Sequence, residues 1–97
     1  MTAMGATAED VLRDVFDRQI ARRGLGISAA CKSLVDAMIA RGASYVENEP
    51  HRMGEAEANL RRYVEAMMRE QNTGDGLLHE NTFFAAQASI CPLWPFC

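Results

Sequence analysis

The residues best equipped for chemistry gather at the end of the chain, in the segment CPLWPFC. Cys91 and Cys97 bracket Pro92, Leu93, Trp94, Pro95 and Phe96. A disulfide closes so short a loop where the two Cα atoms approach to about 5.5–6 Å. Cys91–Cys97 is therefore a candidate disulfide, set against free thiols in a reducing compartment. The tail also has a reading as a segment changed by a modifying enzyme, with the rest of the chain as its leader or carrier. In the plainest reading it is an apolar lid, since Trp and Phe mark buried area. An aromatic residue ahead of Pro95 favours a cis peptide bond there.

The other reactive side chains assemble into nothing. Cys31 falls on the apolar face of an expected helix and reads as a small core residue. His79, Cys91 and Cys97 fit no common zinc spacing, so no metal is expected. His51 sits at a helix start beside Arg52 and reads as solvated. The stretch around Thr73, Asp75 and Gly76 lacks the first acidic ligand and the final Glu of a calcium loop. No acid, base and nucleophile are spaced as a set. The sequence therefore points away from an enzyme, and to no cofactor.

Composition bounds what remains. Ninety-seven residues with 48% hydrophobic content make one domain with an ample core. Ala, Met, Glu and Arg are plentiful and β-branched residues form no alternating run, so the expected class is all-α. The formal net charge of −3 argues against binding driven by phosphate neutralisation. No apolar run reaches the ~20 residues of a membrane span. The start, MTAMGATAED, has no cationic stretch leading into an apolar one, so the cytoplasm is the expected location.

Four helices are expected to position these residues. The first runs from Ala8 to Arg23, with Thr7 and Asp10 as a capping box and Gly24 as its left-handed end. It turns Val11, Leu12, Val15, Phe16 and Ile20 inward. The second runs from Ala29 to Arg41, capped by Ser28 and stopped by Gly42. Its buried face holds Ala30, Cys31, Leu34, Val35, Met38 and Ile39. ASYVENE is then a link, with Asn48 or Glu49 capping the third helix. That helix, Pro50–Asn72, is expected to be the longest, at about 35 Å. Met53, Ala56, Leu60, Val64 and Met67 form its inner line. Glu57 and Glu65 stand four residues ahead of Arg61 and Arg69, a favourable pairing. After the break at Thr73–Gly76, a short helix runs from Leu78 or Asn81 to Ser89.

The stretch IARRGLGISAACKSLVDAMIARG, residues 20–42, resembles the helix-turn-helix segment of winged-helix regulators of the multiple-antibiotic-resistance type. Gly26, Ile27 and Ser28 would form the turn, and Ser33, Leu34, Val35 and Asp36 would lie in the recognition helix. The resemblance implies a DNA-binding transcriptional regulator as the alternative function. Gly24 departs from the pattern by adding a residue before the turn. No wing hairpin follows, because ASYVENEPHR is acidic and ends near proline. The solvent face offers only Lys32, Ser33, Asp36 and Arg41, which is poor for phosphates and bases.

The leading expectation is a small four-helix bundle acting by protein–protein contact, as an adaptor, inhibitor or regulatory subunit. Its partner would be another protein or a second copy, giving a homodimer. Tyr63 and Met68 widen the third helix's apolar stripe beyond one small core. The expected contact surface is Tyr63, Met67 and Met68, with Leu93, Trp94 and Phe96 from the tail.

Overall fold

The computed structural model describes residues 6–71 and 74–97. Its elements in chain order are α1 (Ala8–Arg22), β1 (Gly26–Ile27), α2 (Ala29–Asn48), a 3-10 turn (Pro50–Arg52), α3 (Met53–Glu70), β2 (Leu77–Leu78) and α4 (Glu80–Ile90). The described residues are thus all-α apart from one two-residue strand pair. Asn72 and Thr73, to which the third helix and the following break were expected to extend, lie outside the described residues.

The first helix begins where its side chains dictate. The Thr7 hydroxyl accepts from the Asp10 amide at 3.1 Å, and the Asp10 carboxylate accepts from the Thr7 amide at 3.2 Å. This satisfies two amides that the helix start leaves without partners. Gly24, at φ +64°, ends the helix in a conformation that costs other residues steric strain. Ser28 caps α2 by accepting from the Cys31 amide at 3.1 Å.

The second helix departs from expectation. Gly42 does not stop it; α2 continues to Asn48 and has 20 residues, so it and not α3, with 18, is the longest. A mid-helix glycine costs about 1 kcal/mol against alanine. Here Ala43 and Val46 carry the buried stripe of Val35 and Ile39 onward, and packing outweighs propensity. The helix ends at Glu49 because the residue before a proline is driven out of the α region. Pro50 then opens the 3-10 turn, and neither Asn48 nor Glu49 caps α3 by its side chain.

The strand pair was not expected. β1 and β2 pair in parallel, Gly26 opposite Leu77 and Ile27 opposite Leu78. The Gly26 amide donates to the Gly76 carbonyl at 2.8 Å and the Ser28 amide to the Leu78 carbonyl at 2.9 Å. Two residues on each side carry no periodic signal. The pairing sets the heads of α2 and α4 side by side, pointing the same way.

One core joins these elements. α3 packs on α1 and α4, α1 also on α2, and α2 on α4. Leu12, Phe16, Cys31, Val35, Leu60 and Val64 lie at its centre. Ala30, expected inside, is exposed at the first turn of α2.

Candidate functional site: the C-terminal ring and the α2–α4 face

The tail forms a closed ring seated on the helices. Cys91 and Cys97 are disulfide-bonded, with Cα atoms 5.8 Å apart. The peptide bonds before Pro92 and Pro95 are both cis. Within the ring the Phe96 amide donates to the Leu93 carbonyl at 2.7 Å. Phe96 is fully buried.

Gly42 explains how Phe96 gets in. A Cβ added there would meet the Phe96 ring at 2.7 and 2.9 Å and the Pro95 ring at 3.2 Å. The missing side chain is the seat for an aromatic ring 54 positions later in the chain. Two residues of α3 and its approach hold the other edge. Asn59 donates to the Trp94 carbonyl at 2.6 Å. The Arg52 guanidinium lies 3.7 Å from the centre of the Trp94 ring, within cation–π range. Glu55 orients that guanidinium at 2.8 Å, and the shared hydrogen bond raises the pKa of Arg52 and lowers that of Glu55.

The expected contact surface is corrected by this packing. Tyr63, Met67 and Phe96 have no exposed area and are spent on the chain's own core. Tyr63 donates its hydroxyl to the Phe83 carbonyl at 3.1 Å, so a polar tip that would have marked a flank is satisfied inside. Burial also pushes its pKa upward. Leu93 and Trp94 are partly buried on the ring. Met68 remains exposed at 36%. It stands two and a half turns from Asn59, on the opposite side of α3 from the ring.

Two residues outside that expected surface carry the most exposed aromatic area, Tyr45 at 52% and Phe84 at 50%. Tyr45 stands on α2 and Phe84 on α4, two helices that pack against each other. Near the head of that pair, Glu80 is close enough for its charge to act on Cys31. At the far end, Phe96 touches Gly42. Tyr45 is one turn beyond Gly42, and Ala88, one turn after Phe84, is exposed on the same side of α4. Tyr45 was hidden from sequence reasoning inside the supposed link. A helical wheel of α4 separates Phe84 from the buried Phe83 and Ala86, and is the signal that could have found it.

The remaining candidates have structural explanations. Burial pushes the Cys31 thiol up to about 11, with the Glu80 charge adding to it, so at neutral pH it is not the nucleophilic thiolate. His79 pairs with Asp75 at 3.0 Å. Among the described residues no three His, Cys, Asp or Glu side chains form a metal-holding group. No described helix is long and apolar enough to cross a membrane. On the second helix, Lys32 is held by Asp36 at 3.2 Å, and Asp36 also takes Arg13. The helix-turn-helix reading therefore keeps Arg41 as its one unpaired cation among the described residues of α2.

The sequence matches no protein-family model and no curated protein, and no solved structure matches it.

Proposed function

We propose that this is a non-catalytic helical protein acting by protein–protein contact, as a homodimer formed through the α2–α4 face. The observation that carries the reading is the exposure of two aromatic rings on packed helices, Tyr45 on α2 and Phe84 on α4. Aromatic residues are enriched at interface centres, where they bury large area at low entropic cost. Ala88, one turn after Phe84, leaves room on α4 for a second copy to approach closely. An adaptor, inhibitor or regulatory subunit would use such a face.

Sedimentation velocity over a wide concentration range tests this. A reversible dimer is expected, and Tyr45→Ser and Phe84→Ser should each raise its dissociation constant about tenfold or more. A protein that stays monomeric at the highest concentration overturns the homodimer. So does a dimer that both substitutions leave unchanged.

The proposed location is the cytoplasm, as expected from the sequence. The Cys91–Cys97 bond pulls the other way, because disulfides persist in oxidising compartments. Rapid alkylation in native cell extract followed by intact-mass measurement decides it. Free thiols at Cys91 and Cys97 fit the cytoplasm, and a bonded pair overturns it.

A further inference from the structure

We propose that the cleft between α3, the end of α4 and the C-terminal ring binds a small amphiphilic carboxylate with a fatty-acid-like chain. The cleft has a volume of about 340 Å³ and is lined by Arg62, Glu65, Arg69, Ile90 and Leu93. One side is cationic and the other is apolar, which is the arrangement an anionic head on a hydrocarbon body requires.

The cationic side is open for a ligand. Arg62 and Arg69 are seven positions apart, about two turns, and so share one face of α3. Glu65 stands four residues before Arg69 and was its natural partner. It instead lies 3.8 Å from Arg23 of the α1 end. Neither Arg62 nor Arg69 has an ion pair or side-chain hydrogen bond among the described residues. A carboxylate can accept two N–H groups from a guanidinium in one plane. The Glu65 charge at the same wall favours a singly charged head over a doubly charged phosphate.

The apolar side is built and held. Ile90 ends α4, and Leu93 sits within the ring closed by Cys91 and Cys97. Each heavy atom at liquid density takes on the order of 30 Å³, the share of a water molecule. The cleft thus holds on the order of ten heavy atoms, the size of octanoate.

The groove between α1 and α3 has a similar volume, about 360 Å³, but of its three arginines Arg18 is paired with Asp14 and Arg61 with Glu57, which among the described residues leaves Arg22 alone and no pair of cations for one carboxylate.

Octanoate titrated into the intact oxidised protein tests the proposal. Binding is read from the methyl resonances of Ile90 and Leu93 and from the emission of Trp94, the chain's single tryptophan. Saturable shifts at both methyls are expected. Acetate, which lacks the chain, and 1-octanol, which lacks the charge, should each bind about tenfold more weakly or worse. Arg62→Gln with Arg69→Gln, both on exposed side chains that the fold does not use, should weaken octanoate about tenfold and leave 1-octanol unchanged. Absence of a saturable shift below the concentration at which octanoate self-associates overturns the proposal. Equal affinity for 1-octanol, or an unchanged octanoate affinity in the double variant, also overturns it. The readout lies on the ring side of α4 and does not depend on the dimer.

Discussion

Replacing Gly42 with alanine puts a methyl group where the Phe96 ring now lies. The added Cβ would stand 2.7 Å from one ring carbon and 3.2 Å from the Pro95 ring. Neither neighbour can withdraw easily, since Phe96 is fully buried and both belong to the closed Cys91–Cys97 ring. Forcing the methyl into place costs about 1–3 kcal/mol as overpacking. Undocking the ring instead forfeits about 1.5–3 kcal/mol of Phe96 burial, together with the Asn59–Trp94 hydrogen bond at about 1 kcal/mol. Against either stands a gain of about 1 kcal/mol from alanine in a helix interior. The expected net loss is up to about 2 kcal/mol, read as a lower midpoint in urea unfolding. Phe96→Ala removes the two closest contacts and leaves only the Pro95 ring at 3.2 Å. In that background Gly42→Ala should become stabilising, giving a coupling of about 1–3 kcal/mol between the two positions. Gly54 is the control: a Cβ there meets nothing within 4 Å, so Gly54→Ala should be neutral or stabilising by up to about 1 kcal/mol. A stabilising Gly42→Ala in the wild-type background, matching Gly54→Ala, would refute the seat.

Two further outcomes follow from the same packing. Converting Cys91 and Cys97 together to serine reopens a short loop, for which chain entropy gives roughly 2–2.5 kcal/mol; the urea midpoint should fall, with Trp94 emission shifting to the red, and an unchanged midpoint would rule out a stabilising ring. Cys31 supplies a pH dependence with a definite sign. Its thiol titrates near 9 when unfolded and near 11 when folded, so its contribution is complete below pH 9 and is lost as pH rises toward 11, on the order of 2–3 kcal/mol. Cys31→Ala should flatten the fall in unfolding free energy between pH 9 and 10, below the region where Tyr63 begins to contribute; an unaltered slope would contradict the burial argument.

The sequence by itself determined the class of this protein and much of its local punctuation. Three-four spacing of Leu12 and Phe16, and of Ala56, Leu60, Val64 and Met67, produces a helix wherever one face can be buried. The Thr7–Asp10 box, the Ser28 cap and the left-handed Gly24 were legible because capping is a contest among neighbours in the chain. The ends of α2 and α3 were not legible in the same way. Gly42 reads as a stop to any local rule, and the burial of Ala43 and Val46, with Phe96 seated on it, makes it an interior position. The role of each aromatic was likewise decided in three dimensions. Tyr63 carries the same stripe whether it faces solvent or the Phe83 carbonyl, and Tyr45 and Phe84 are left exposed on α2 and α4, which lie side by side. That placement rests on a parallel strand pair of two residues each, too short to leave a pattern. The cleft beside Arg62 and Arg69 has the same origin, since it exists only where α3 meets the end of α4 and the ring. Helix formation is a property of nearest neighbours along the chain. A surface is a property of what packing leaves uncovered, and that depends on contacts between residues far apart in sequence.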